Sequence, residues 1–168
     1  MENLINTFFK SISRYEFINN LIPGIVLCFV LKYIGYNVID GDILTNIITC
    51  YIAGLINGRV SSLLVEWVCR KTSLIEWRDY DLYSKAKEVR PFIATMQEVA
   101  NMYRSMASVF LISLFAIVYK LIYTKFIWLQ QNGYWIIIII LCGLFLLSYI
   151  KQVNDYVVKN IDDVTKDI

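Results

Sequence analysis

Residues 43–71 read ILTNIITCYIAGLINGRVSSLLVEWVCRK and decide the fold of this chain. Apolar residues dominate the stretch, and no helix breaker interrupts it before Lys71. At 1.5 Å per residue such a helix extends roughly 40 Å, which exceeds the hydrocarbon core of a bilayer at about 30 Å. The stretch therefore predicts a transmembrane helix whose last turns project into the cytoplasm.

The composition favours a membrane protein over a soluble one. Of the 168 residues, 58% are hydrophobic and 18% are charged, and the mean hydropathy is +0.55. Soluble domains carry about a quarter charged residues and about 45–50% apolar residues. The formal net charge of +2 is too small to indicate a nucleic-acid-binding protein. The high apolar content makes the lipid bilayer the predicted partner.

Further apolar runs complete a predicted bundle of four transmembrane helices. The first two spans occupy residues 17–71, and Pro23 lies near the start of the first. The last two spans occupy residues 106–150, with a turn predicted at residues 130–133. We therefore expect an all-α membrane protein whose second and third helices extend into the cytoplasm.

The segments outside the spans carry most of the positive charge. Residues 1–16 predict an amphipathic helix, which either lies at the membrane surface or packs on the bundle. Residues 72–105 predict a charged cytoplasmic helical segment, and residues 151–168 a cytoplasmic tail. Because lysine and arginine concentrate on the cytoplasmic side of membrane proteins, we expect both termini in the cytoplasm.

Polar and small side chains form one stripe along the second predicted span. At about 100° per residue, the stripe contains Asn46, Thr49, Cys50, Ala53, Asn57 and Ser61. A polar stripe on a membrane helix faces protein or water rather than lipid. On the same helix, Gly54 and Gly58 form a G-x-x-x-G pattern, which permits either close packing within the chain or a dimer contact.

Two charges lie on a different face of the second predicted span. Arg59 and Glu66 are two helical turns apart, with Ser62 between them. Charges at that depth need partners, so we expect an ion pair between Arg59 and Glu66. A gate or a ligand contact is the alternative role for these residues.

Apolar residues recur at alternating spacings of four and three directly after Pro91. They are Phe92, Met96, Val99, Tyr103, Met106 and Phe110. This spacing predicts a heptad seam that leads into the third span.

The sequence contains no template for catalysis and no pattern for a metal or cofactor. It has no histidine, which removes the usual general base and the commonest metal ligand. The four cysteines are scattered singly, and three of them fall inside apolar runs. There is no serine elbow, no H-E-x-x-H and no glycine-rich phosphate loop. We therefore expect no enzyme activity, no metal and no cofactor.

Three stretches carry a resemblance to a known group of proteins: residues 15–24 (YEFINNLIPG), residues 51–66 (YIAGLINGRVSSLLVE) and residues 98–105 (EVANMYRS). In type and order they resemble small four-span proteins of bacteria, which in turn resemble membrane components of anti-phage defence systems. Examples are the Kiwa-type membrane subunit and the transmembrane effectors of cyclic-nucleotide signalling. The resemblance implies a bacterial inner-membrane protein that senses damage or permeabilises the membrane. The chain departs from the second type because it has no separate soluble domain large enough for an obvious nucleotide pocket.

We therefore expect a homo-oligomeric inner-membrane effector or sensor of anti-phage defence that acts without covalent chemistry. Its pore or interface residues would be Asn46, Thr49, Ala53, Gly54, Asn57, Gly58, Arg59, Ser62 and Glu66. Its contacts at the cytoplasmic mouth would be Met96, Tyr103 and Arg104. Either a soluble defence protein or a signalling nucleotide would bind the cytoplasmic face. The alternative is a membrane anchor that recruits a soluble partner through the central charged segment.

Overall fold

The described part of the chain is built from helices joined by short turns. A computed structural model describes residues 16–75 and 80–154, and no strand is present among them. The helices are α1 (Ile22–Ile34), α2 (Ile43–Lys71), α3 (Tyr80–Val89), α4 (Phe92–Tyr123) and α5 (Ile127–Gln152). Residues 1–15 of the predicted amphipathic helix and residues 155–168 of the predicted tail lie outside the described residues.

Three of the described helices are long and apolar enough to cross a membrane. They are α2, α4 and α5, with 29, 32 and 26 residues. The 13 residues of α1 extend only about 20 Å, against a hydrocarbon core of about 30 Å. The all-helical architecture is confirmed, whereas the four-span count and the membrane setting stay predictions.

The chain divides into two compact units, residues 1–119 and residues 120–168. The first unit contains α1, α2, α3 and most of α4, and it also contains the candidate site. The second unit contains the last residues of α4 and all of α5.

The turn before α5 lies earlier than the sequence predicts. Phe126 has an extended backbone and precedes α5, which runs through residues 130–133 without a break. The predicted turn at residues 130–133 is therefore wrong. Asn132 donates to the carbonyl of Trp128 in its own helix at 3.1 Å, and Gln130 donates to the carbonyl of Tyr123 at the end of α4 at 3.1 Å. These polar side chains satisfy helix carbonyls and so do not end the helix.

Glycines allow α1 and α2 to meet backbone to backbone. A Cβ atom added at Gly24 would lie 1.9 Å from the carbonyl oxygen of Cys50. One added at Gly54 would lie 1.9 Å from the carbonyl oxygen of Asn20, in the π-helical turn Phe17–Leu21 that precedes α1. Only a hydrogen atom fits at such a contact. Gly54 of the G-x-x-x-G pattern therefore serves packing within the chain, one of the two roles that the sequence left open.

Hydrogen bonds fix the turn between α1 and α2. Gly35 ends α1 in a left-handed conformation, with a φ of 95°, which favours glycine. The amine of Lys32 forms an ion pair with Asp40 at 3.3 Å. The hydroxyl of Tyr36 donates to the carbonyl oxygen of Ala116 at 2.9 Å and so connects this turn to α4.

Small residues form the buried face of α4. They are Ser105, Ser108, Val109 and Ser113. The heptad-seam residues Phe92, Met96, Val99, Tyr103 and Phe110 are between 43% and 69% exposed. Small side chains let two helix axes approach closely, so this face packs against the rest of the unit. Met106 is partly buried, and the other heptad-seam residues form an exposed surface of the described chain.

Candidate functional site

A buried asparagine joins α2 to α4 inside the first unit. The Asn57 side chain has 0% exposure, and its amide nitrogen donates to the backbone carbonyl of Ser105 at 3.0 Å. The hydroxyl of Ser108, also fully buried, hydrogen-bonds the amide oxygen of Asn57. Both ends of the amide therefore have partners on α4, as a buried polar group requires.

A buried carboxylate makes the second connection between these helices. The side chain of Glu66 is 7% exposed, and one of its oxygens accepts a hydrogen bond from Arg104 on α4 at 2.8 Å. Its other oxygen accepts one from Arg70 on α2 at 2.8 Å. The Nε of Arg104 also donates to the hydroxyl oxygen of Ser61 at 3.1 Å. A charge-assisted bond to each oxygen compensates for the cost of burying the carboxylate.

We call these contacts the polar link. Its members on α2 are Asn57, Ser61 and Glu66, and those on α4 are Arg104, Ser105 and Ser108. Arg70 supports the link from α2 itself.

A π-helical turn places both ends of the polar link on the same side of α2. Asn57 and Glu66 would point in nearly opposite directions on a regular helix, because nine residues rotate by about 180° beyond whole turns. Residues Ser61–Val65 form a π-helical turn, in which hydrogen bonds reach one residue farther. The extra residue reduces the rotation by about 100° and brings Glu66 round towards α4.

The predicted ion pair between Arg59 and Glu66 is wrong. Glu66 pairs with Arg104 and Arg70, whereas the Arg59 side chain is exposed. On a regular helix residues seven apart share a face, and the sequence prediction depended on that spacing. The π-helical turn lies between the two residues and turns them away from each other.

The remaining residues of the predicted stripe, and the other predicted pore or interface residues, have different surroundings. Asn46 lies near the start of α2, where its amide donates to the carbonyl of Gly41 at 2.9 Å. Cys50 and Gly54 are buried against α1. The partly buried members are Thr49, Ala53, Gly58 and Ser62. The stripe therefore serves two contacts: Cys50 packs on α1, and Asn57 and Ser61 contact α4.

The three residues predicted at the cytoplasmic mouth do not come together. Arg104 belongs to the polar link. Met96 and Tyr103 lie on the exposed heptad seam and are 58% and 67% exposed. They form a surface that is separate from the link.

No site role was predicted for Ser105, Ser108 or Arg70. The signal for two of the serines was present, since Ser105 and Ser108 are three residues apart on one face at the start of the third apolar run. Small polar residues in an apolar helix mark helix–helix contacts. Arg70 follows Glu66 by four residues, the spacing at which ion pairs form on a helix.

The chemistry of the polar link suits it to fixing the relative position of two helices. Its amide, hydroxyl, carboxylate and guanidinium groups satisfy one another. The buried ion pair is the strongest of these contacts, whereas each uncharged hydrogen bond between helices contributes about 0.6 kcal/mol. Contacts of that size can break and re-form during function.

Comparison of the chain with protein-family models, with curated proteins and with solved structures finds no match.

Proposed function

We propose that this chain is a membrane effector or sensor of bacterial anti-phage defence, and that the polar link between α2 and α4 is its switch. The observation that carries the proposal is the buried carboxylate of Glu66, bound by arginines from two helices beside a π-helical turn. The defence role rests on the resemblance of residues 15–24, 51–66 and 98–105 to membrane components of such systems. The action is non-covalent: it senses or permeabilises the membrane.

The polar link has the properties of a two-state contact. The buried face of α4 consists of three serines and Val109 rather than large interlocking apolar side chains, and it meets the buried Asn57 of α2. The π-helical turn Ser61–Val65 can shift along α2 and rotate one part of the helix against the other. Rotation by one residue would separate Glu66 from Arg104 while the helices stay in place. A signal at either helix could therefore alter the whole arrangement.

The long helix α4 gives this signal a route. This helix contains a stretch that is long and apolar enough to cross a membrane. It begins about 20 Å before Ser105, at 1.5 Å per residue. We propose that residues 72–105 lie in the cytoplasm and that a soluble defence protein or a signalling nucleotide acts on them. In this arrangement both termini are cytoplasmic, α1 is the shortest of four spans, and the membrane is the bacterial inner membrane.

The exposed heptad seam favours a homo-oligomer. Phe92, Met96 and Val99 lie in the part of α4 that this placement puts in water, and each is more than 40% exposed. Residues at alternating spacings of four and three pack against the same residues of a second helix in coiled coils. A second copy of the chain would cover them.

Replacing Asn57 with leucine should abolish growth arrest or ion leakage while membrane insertion stays intact. The leucine side chain cannot bond to Ser105 or Ser108, so the buried carbonyl of Ser105 loses its donor on α2, and the Ser108 hydroxyl keeps only the backbone carbonyl of residue 57 there. The measurement is growth arrest of a bacterial host on expression, together with dye leakage from vesicles that contain the purified protein.

Two serines of α4 provide a matched control for this experiment. Ser108→Ala removes a hydroxyl that reaches α2, whereas Ser113→Ala removes another buried hydroxyl, which among the described residues donates to Val109 of its own helix at 2.7 Å. We expect Ser108→Ala to weaken the response and Ser113→Ala to leave it unchanged. Wild-type leakage and growth arrest in Asn57→Leu would contradict the switch.

The surface of α3 supports the alternative function, a membrane anchor for a soluble partner. Leu82 is 58% exposed and Val89 is 80% exposed, on a short helix that also carries Lys85, Lys87 and Glu88. Apolar side chains surrounded by charges are typical of protein interfaces. Replacing Leu82 and Val89 with serine should then release a protein that co-purifies with the wild type. Unchanged co-purification, or no partner from the native host, would count against an anchor.

A further inference from the structure

Arg59 is a charged side chain on an apolar face of α2. Its side chain is exposed, and among residues 16–75 and 80–154 it forms no ion pair. The same face carries Ile48 and Ile52, which are 42% and 51% exposed, and later Trp67, which is 56% exposed. A guanidinium among large apolar side chains needs an anionic partner from outside the described chain.

The residues of this face share one line along α2 because of the π-helical turn. Ile52 and Arg59 are seven residues apart, a spacing that returns to the same side of a helix. Arg59 and Trp67 are eight apart, but the extra residue in Ser61–Val65 makes that spacing equivalent to seven. Lys71 follows four residues later, and its amine lies 4.9 Å from the centre of the Trp67 ring. We call this line the exposed stripe of α2.

The order of residues along the exposed stripe matches the layers of a bilayer. Isoleucines come first, then Arg59 about 24 Å from the start of α2, then the tryptophan and the lysine. With a hydrocarbon core of about 30 Å, Arg59 lies within one side-chain length of the headgroups at the far surface. Tryptophan and lysine are the residues that anchor helices at that level.

We propose that Arg59 binds the phosphate of an anionic phospholipid in the leaflet that surrounds the Trp67 end of α2. The inference rests on the membrane placement in the proposed function and names a ligand for it. A guanidinium donates two parallel hydrogen bonds to phosphate oxygens, and an apolar stripe accommodates the acyl chains beside it. An anionic headgroup is favoured over a zwitterionic one because it has no ammonium group to repel the arginine.

The lipid contact can be measured on the purified protein by native mass spectrometry. The chain is released from detergent in the presence of equal amounts of phosphatidylglycerol and phosphatidylcholine, and the retained lipids are counted. We expect the wild type to retain phosphatidylglycerol about fivefold more than phosphatidylcholine, the preference that one basic residue gives near an anionic surface. Arg59→Gln should lose this preference, and Arg59→Lys should keep most of it.

A second basic residue serves as the matched control. Lys125→Gln removes another exposed charge, in the turn between α4 and α5, and it should retain lipids as the wild type does. Because Arg59 has no described partner in the chain, Arg59→Gln should also unfold at the wild-type temperature in lipid-free detergent.

Each of the other outcomes overturns the proposal in a recognisable way. Wild-type selectivity in Arg59→Gln would mean that another group binds the lipid. Unchanged lipid retention with a loss of oligomer mass would mean that Arg59 pairs with a carboxylate of a second copy. Recovery of the wild type outside the membrane fraction of cells would refute the membrane placement, and with it the proposed function. Loss of selectivity in Arg59→Gln alone leaves that function untouched.

Discussion

Replacing Arg104 with glutamine is expected to lower the free energy of unfolding by about 2 kcal/mol. The change removes the guanidinium that reaches Glu66 from α4 and leaves the carboxylate buried at 7% exposure. Removing one partner of a fully buried ion pair costs about 3–5 kcal/mol. The expected loss is smaller here because the Arg104 side chain is 27% exposed and because Arg70 stays bound to the same carboxylate. The measurement is unfolding in mixed micelles titrated with dodecyl sulfate.

Arg70→Gln is the matched control, because it removes the same group from the other oxygen of Glu66. Arg70 lies on the same helix as Glu66 and its side chain is 53% exposed, so its loss should cost about 0.5 kcal/mol. The double variant Glu66→Gln/Arg104→Gln should be more stable than Arg104→Gln alone, since no charge is then left buried. Equal losses for Arg104→Gln and Arg70→Gln would contradict the larger contribution expected from the contact between the helices.

Replacing Gly54 with alanine is expected to destabilise the protein by about 3 kcal/mol or more. The added Cβ would lie 1.9 Å from the carbonyl oxygen of Asn20 and 2.6 Å from its carbonyl carbon. Both are backbone atoms, so no side chain can rotate away, and α1 must separate from α2. Separation loosens the whole contact, including that of Gly24 with the carbonyl of Cys50. The same mixed-micelle titration measures the effect.

Two other glycines make the Gly54 prediction specific. A Cβ at Gly58 would lie 3.4 Å from the amide oxygen of Asn20, an ordinary contact, so Gly58→Ala should change stability little. A Cβ at Gly143 in α5 meets nothing within 4 Å, and alanine there should stabilise the helix by up to about 1 kcal/mol. Similar values for Gly54→Ala and Gly143→Ala would contradict the close packing of α1 on α2.

The sequence was sufficient to predict the elements and one packing face. Long apolar runs with few charges predict α2, α4 and α5, because helix length follows directly from the number of residues. The polar stripe of α2 predicts a face that contacts protein, and Cys50, Gly54, Asn57 and Ser61 are buried there. Small and polar side chains are unfavourable towards lipid and favourable at close helix contacts, so their periodicity is informative.

The partners of the charged residues could not be predicted from spacing alone. A regular helical period of about 3.6 residues places Glu66 on the same face as Arg59. The π-helical turn Ser61–Val65 lies between them and rotates Glu66 away from Arg59 towards Arg104. Apolar and small residues such as those in SSLLV fit either kind of turn. The π turn is accompanied by two contacts with α4, one from Asn57 before the turn and one from Glu66 after it. Their partners on α4 are far from α2 in the sequence, so local sequence does not reveal them.

The heptad seam of α4 illustrates a second limit. Its spacing correctly predicts a continuous helix, but a periodic pattern does not say what covers it. Within the described chain the serine face packs inward, because short side chains let α4 approach α2 closely enough for hydrogen bonds from Asn57.

The π-helical turn also determines how this chain tolerates changes in length. Deleting one of residues 62–65 would convert the turn to regular helix, keep Ser61, and leave Asn57 and Glu66 in the same relation to α4, since the extra residue is what the π turn absorbs. Deleting a residue between Gly54 and Asn57 would instead rotate the rest of α2 by about 100° against α1. A deletion among residues 62–65 is therefore less disruptive than one between Gly54 and Asn57, because it keeps the contacts of Asn57, Ser61 and Glu66 with α4.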